Sequence, residues 1–188
     1  SQQETFGDLT TLMLLIIMLV FIVMAAQFES LVDPFVIMFS VPFAFTGVFI
    51  GLLVTQVPLD TMSFIGMIML IGIVVKNGIV LIDYIRLCRE RGMGVALAVT
   101  TSGKSRLRPV LMTTLTTVLG MVPMALGIGE GAEMWQSMGM TVAWGLSFST
   151  LITLVLIPTL YAALEARRMV RERRRVEKKL TRKLAAAR

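Results

Sequence analysis

Residues 9–26 read LTTLMLLIIMLVFIVMAA. Apart from Thr10 and Thr11 every position is apolar, and no charge falls between Leu9 and Gln27. A water-facing helix needs a polar stripe every 3.6 residues, and none exists here. A helix apolar on all sides needs an apolar solvent, and roughly 20 such residues cross the hydrocarbon core of a bilayer. Residues 35–54 (FVIMFSVPFAFTGVFIGLLV) and 113–128 (TTLTTVLGMVPMALGI) repeat the pattern. The 188 residues would suffice for one soluble domain, but 56% are apolar and 16% charged, with the apolar ones in long runs. These features specify an all-α polytopic membrane bundle of about five transmembrane helices.

Working outward, the spans read as about 9–27, 34–55, 62–86, 107–128 and 134–164, a transmembrane domain over 1–165. A basic tail over 166–188 follows. The first span ends at Glu29-Ser30. Asp33-Pro34 reads as a cap and first helical residue of the second, with Pro42 as an internal kink. Gln56 to Thr61 is a short loop. Residues 87–106 are mixed, with Met93 to Val99 as a short surface helix. Pro109 suits a first turn, where its missing N–H costs nothing. Pro123 falls near the far end of the fourth span, and Gly127 to Glu133 is a glycine-rich turn. The fifth span is longer than a bilayer requires, so its end should project into water. Gly47 and Gly51 form a GxxxG pair, and Gly66, Gly72 and Gly78 punctuate the third span, all read as close helix packing.

The net charge of +6 is a property of the tail. From Glu165 to Arg188 there are eleven Lys/Arg and three Asp/Glu, giving +8 and leaving −2 for the rest. No aromatic residue lies between Arg167 and Arg188, so base stacking is absent and nucleic acid is not the expected partner. A basic tail beside a span reads as an anchor to anionic membrane lipid. With that tail in the cytoplasm, the basic loop 86–108 also falls inside. The basic-free loops 56–61 and 128–133 and the N-terminus then fall outside, and Lys76 alone among eighteen basic residues lies elsewhere. The reading is a multi-pass membrane protein with an extracytoplasmic N-terminus and a cytoplasmic C-terminal tail. One cysteine, Cys88, allows no internal disulfide, and no histidine is present. The chain starts Ser1-Gln2-Gln3-Glu4 with no initiator Met and no signal-peptide pattern, which reads as a piece of a longer protein.

Lys76 is the outlier. It stands in IGIVVKNGIV, residues 71–80, about 15 Å along the helix from Arg86 and so near mid-bilayer. A charge there costs at least about 2.5–3.5 kcal/mol, so it should face protein and a partner. One reading is a snorkelling lysine; the other is a titrating or switching cation beside buried carboxylates. Asn77 can hydrogen-bond in the same site. Asp83, seven residues on, shares the face of Lys76 two turns away; it is either part of the site or hydrated or paired to Arg86. Arg106 and Thr113 are likewise seven apart on one face. The threonines of this span either bond back to their own backbone or hold a buried charge or water. The fifteen methionines raise Cu(I) ligation, but without Cys or His beside them they read as apolar filler. There is no Ser/His/Asp set, no paired carboxylate and no phosphate loop, so the chain reads as no enzyme, with no cofactor and no metal site.

At these residues the chain resembles a known family. The segments AAQFES (25–30), GIVVKNGIVLI (72–82), RLRPVLMTT (106–114) and GMVP (120–123) together resemble the resistance-nodulation-division (RND) efflux transporters, specifically the hydrophobe/amphiphile multidrug branch. Nearly the whole chain is covered, as the last five of twelve membrane helices. The resemblance implies a homotrimeric proton/drug antiporter driven by the proton motive force, working with a periplasmic adaptor and an outer-membrane channel. It implies a proton relay of Lys76, Arg106 and Thr113, completed by two aspartates on a helix of the other half. Asn77 joins that set as the neighbour of Lys76. Asp83 joins that set on its position. The metal-exporting branch typically carries an acid where Lys76 stands, which favours the drug branch. The aspartate pair and the large periplasmic loops are not in this chain, so no drug-contacting residue can be named. A related RND-fold protein for lipid or protein export, and a non-transporting structural membrane fragment, remain as alternatives.

Overall fold

Five helical segments are long and apolar enough to cross a membrane in the computed structural model, which describes residues 2–186. Helix α1 spans Gln2–Phe28, and a short turn leads to α2 (Val32–Met38) and α3 (Ser40–Thr55), which form one apolar run. Helix α4 covers Thr61–Glu90 and α5 Val95–Ala125. A 3-10 turn over Ala132–Trp135 enters α6, Gln136–Ala186. No strand occurs among the described residues.

Local sequence explains most of these boundaries. The α2–α3 run breaks at Phe39, because Pro42 has no N–H to give the carbonyl of Met38 and its ring crowds that carbonyl. Asp60 caps α4: its Oδ1 accepts from the Ser63 amide at 2.9 Å. Gly127, Gly129 and Gly131 all hold positive φ in the last turn, as residues without a Cβ can.

Other boundaries differ from the sequence reading. Asp33 is not a cap: Leu31 holds that position, and Asp33 sits inside the first turn of α2 with its carboxylate buried. The surface helix at 93–99 and the fourth span are one helix, and only Arg91–Gly94 separates it from α4. Pro109 therefore lies in the interior of α5 rather than its first turn. The carbonyl it frees, that of Ser105, is on an exposed residue that water can reach. Helix continues across 95–108 despite Gly103, because packing supports it: Ala98 joins the core cluster with Ile85 and Cys88 of α4, and Ser102 reaches Cys88. Helix α6 likewise runs through the basic tail to Ala186, and the last two residues of that tail lie outside the described part.

Helix α6 is the axis of the bundle, packed against α3, α4 and α5, whereas α1 rests mainly on α2 and α4. The close approach of α3 to α6 depends on the glycine pair. A Cβ on Gly47 would run into Phe148 and one on Gly51 into Trp144. At the other contact, Gly139 of α6 lies against the backbone of Ala125 at the end of α5. Two apolar clusters fill the interior, one around Ile37, Ile71, Ile82 and Ile157, the other around Val48, Leu70, Val74 and Leu146. Helix α1 turns Leu14, Leu15, Met18, Leu19, Ile22 and Val23 outward, as lipid-facing residues do.

Candidate functional site

Helices α4 and α5 form an antiparallel hairpin whose register two contacts fix. The Ser102 hydroxyl reaches Cys88 Sγ at 3.7 Å. Four residues back along α4 and four forward along α5, the Arg106 guanidinium lies 4.5 Å from the centroid of the Tyr84 ring. Eight further residues bring Lys76 level with Thr113 and Thr114. The structure thus places the sequence-selected lysine and threonine at one depth, which neither spacing alone implied.

Lys76 and Asp83 are exposed and Asn77 half-buried. One face of α4 carries Met69, Gly72, Lys76 and Asp83, while Leu70, Ile71, Val74 and Val75 turn inward. A Cβ on Gly72 would touch nothing within 4 Å, so this glycine packs against no helix among the described residues, unlike Gly66 and Gly78. Lys76 has no carboxylate within ion-pair distance among the described residues. The strip is open, with its cation at mid-span, and no acid of the described residues neutralises it.

Thr113 is exposed, and its hydroxyl donates to the Pro109 carbonyl at 3.0 Å; Thr116 and Thr117 bond back in the same way. Thr114 differs, buried and sharing a hydrogen bond of 3.1 Å with Thr150 of α6. Arg106 is half-buried, and its Nε has no hydrogen-bond partner. The Tyr84 ring supplies attraction where a carboxylate is lacking. Tyr84 escaped the sequence reading; its only signal there is an aromatic ring one turn from the basic end of a span.

Asp83 does not pair with Arg86. Arg86 turns to the other side of α4, where its Nε lies 3.6 Å from Asp33 and its Nη1 donates to the Phe28 carbonyl at 2.9 Å. Beside it, Arg89 binds Glu165 at 2.6 Å, with Arg168 at 3.8 Å from the same carboxylate. These pairs close one end of the bundle. At the opposite end Ser137 donates to Asp60 at 2.9 Å, tying the α3–α4 loop to α6.

Fold and charge placement define a polytopic membrane protein with a lone cation on an open helix face. The chain belongs to the AcrB/AcrD/AcrF family of RND transporters, whose sequence profile matches residues 1–165. It is 40% identical over 162 residues to the swarming motility protein SwrC of Bacillus subtilis (strain 168), covering 86% of this chain and 15% of that protein. It is 39% identical over 145 residues to the cobalt-zinc-cadmium resistance protein CzcA of Cupriavidus metallidurans, covering 77% and 14%. It is 38% identical over 160 residues to the multidrug resistance protein MdtC of Erwinia tasmaniensis, covering 85% and 16%. The crystal structure of a heavy metal efflux pump superposes with a TM-score of 0.79 at 32% identity, over 88% of this chain and 16% of that one. The chain thus spans about one-seventh of the length of these relatives.

Proposed function

We propose that this chain forms one side of the membrane proton relay in a proton-driven efflux transporter of the inner membrane. The observation that carries the proposal is Lys76, exposed at mid-span on an open face of α4 and level with Thr113. A cation at that depth needs anions, and an acidic pair on a helix of the remaining transporter supplies them. While those acids are ionised, Lys76 is held against them. When one takes a proton the attraction weakens, the lysine swings away, and the two arrangements favour two helix packings. Asn77 and Asp83 border the path on α4, and Arg106 and Thr113 border it on α5. The Thr113 hydroxyl already has an acceptor in Pro109 and keeps its lone pairs for a water. The chain catalyses no covalent reaction and needs no cofactor.

The substrates in this reading are hydrophobic or amphiphilic compounds; the MdtC relative is named a multidrug resistance protein, and a lysine at position 76 favours the drug branch. The assembly is a homotrimer with a periplasmic adaptor and an outer-membrane channel, the N-terminus of the chain outside and the C-terminus in the cytoplasm. A second reading, export of metal cations, draws on CzcA and on the heavy metal pump structure.

The test uses the parent transporter. Lys76→Met abolishes drug efflux at normal expression, and Thr113→Val reduces it. Full drug transport together with full metal tolerance in Lys76→Met refutes the relay. Loss of metal tolerance with unchanged drug tolerance selects the second reading. Reaction of Arg174→Cys with an impermeant thiol reagent from outside the cell, with Glu130→Cys protected, overturns the orientation.

A further inference from the structure

Two cavities adjoin at the end of the bundle where the basic residues gather, and they differ in charge. The larger, about 610 Å³, is lined by Arg86, Arg89 and Arg168 together with Glu29, Asp33, Glu90 and Glu165, so its cations are matched by acids. The smaller, about 210 Å³, is lined by Val32 of α2 and by Leu164, Arg167, Arg168 and Arg171 of α6, and no acid lines it among the described residues. Arg168 is shared with Glu165 at 3.8 Å, whereas Arg167 and Arg171 have no carboxylate within ion-pair distance among the described residues. An exposed cation cluster over an apolar floor is unfavourable in itself and is relieved by an anion.

Position and neighbouring surface narrow the anion. Val32 opens the second apolar segment, and the apolar run of α6 gives way to charge after Leu164, so the cavity sits where the apolar spans end. Val32, Phe35 and Phe39 follow one another on a single helix face. Phe35 is 57% and Phe39 44% exposed. Their rings lie 6.4 Å apart, and the ring of Phe43 follows at 6.0 Å, so an aromatic track leads from the basic cavity along the lipid-facing surface. Anionic head and apolar track are the two halves of an amphiphile.

We propose that the cavity between α2 and α6 binds the phosphate headgroup of an anionic phospholipid, with one acyl chain laid along Phe35, Phe39 and Phe43. Arg167 and Arg171 hold the phosphate oxygens, and Val32 and Leu164 support the glycerol. Such basic pockets between membrane helices are suited to lipid headgroups. This site is independent of Lys76 and of the relay.

The test is native mass spectrometry of the full chain titrated with phosphatidylglycerol and, separately, phosphatidylcholine. The first phosphatidylglycerol binds more tightly than phosphatidylcholine. Arg167→Gln and Arg171→Gln each weaken it about five-fold, and the double variant weakens it roughly 30-fold. All are exposed positions, and circular dichroism checks that helix content is kept. Arg174→Gln, exposed on α6 but outside the cavity, changes affinity less than about two-fold. Phe35→Ala with Phe39→Ala weakens both lipids alike, because the track reads the acyl chain. Three results overturn the proposal: equal losses for Arg174→Gln and Arg171→Gln, which show diffuse attraction to the tail; equal affinity for the two lipids; or displacement of phosphatidylglycerol by inorganic phosphate, which shows a free-anion site.

Discussion

Substituting Arg86 by Gln should destabilise the bundle by about 2–3 kcal/mol, and the structure sets that magnitude. The Asp33 side chain is 7% exposed, and Arg86 Nε lies 3.6 Å from its Oδ2. At an effective dielectric constant near 20 that separation corresponds to a gross attraction of about 4–5 kcal/mol. Breaking a buried pair from one side costs about 3–5 kcal/mol, because the other charge stays buried and unpaired. Arg86 is itself 38% exposed, and exposed pairs are worth at most about 1 kcal/mol, so the pair should fall below the buried range. The 2.9 Å bond from Arg86 to the Phe28 carbonyl adds back about 1 kcal/mol, and Gln is too short to make it. The assay is SDS titration in mixed micelles followed by circular dichroism, as a double-mutant cycle with Asp33→Asn. The double variant should be more stable than the sum of the single losses predicts, with a coupling of at least about 1 kcal/mol. A coupling below about 0.5 kcal/mol, or an Arg86→Gln variant as stable as the parent, would refute the idea that this pair holds the turn between α1 and α2 against α4.

Three further perturbations probe separate contacts. Gly139→Ala sets a Cβ 2.8 Å from the Ala125 amide nitrogen, a backbone atom that cannot rotate aside, so α5 and α6 must part at a cost of about 1–3 kcal/mol; an unchanged SDS midpoint would show that the helices yield freely. Asp60→Ala removes the α4 cap and leaves the buried Ser137 hydroxyl without its acceptor, for a loss of about 2–3 kcal/mol, with most of it recovered in Asp60→Asn; equal losses for both variants would exclude the cap. Tyr84→Leu removes the ring beneath Arg106 and should cost about 1–2 kcal/mol, while Tyr84→Phe keeps the ring and the stability; the two would behave alike if the contact were only apolar packing.

The sequence by itself determined that five apolar helices cross a membrane, because apolarity over about 20 residues is a local property that needs no partner to be read. It also determined the concentration of cations in the 86–108 segment and the tail, the break before Pro42 and the glycine turn at 127–133. It singled out Lys76 for the same reason: one charge in an apolar run is visible without a fold. It could not show where α5 begins. The polar stretch 95–106 looks like a loop until α4 and α6 offer it surfaces, and it then continues as helix, with Pro109 in the interior. Nor could it pair the charges. Arg86 has Asp83 one turn away in sequence, yet it bonds to Phe28, 58 residues distant, and faces Asp33, because packing against α1 and α2 turns that side of α4 inward. The level of Lys76 with Thr113 follows from the Cys88–Ser102 and Tyr84–Arg106 contacts, and Gly72 differs from Gly66 only in having no helix opposite it. Depth in a membrane is a local matter of counting residues, whereas the partner each helix face meets is set by segments far away in the chain, and only the tertiary structure decided that.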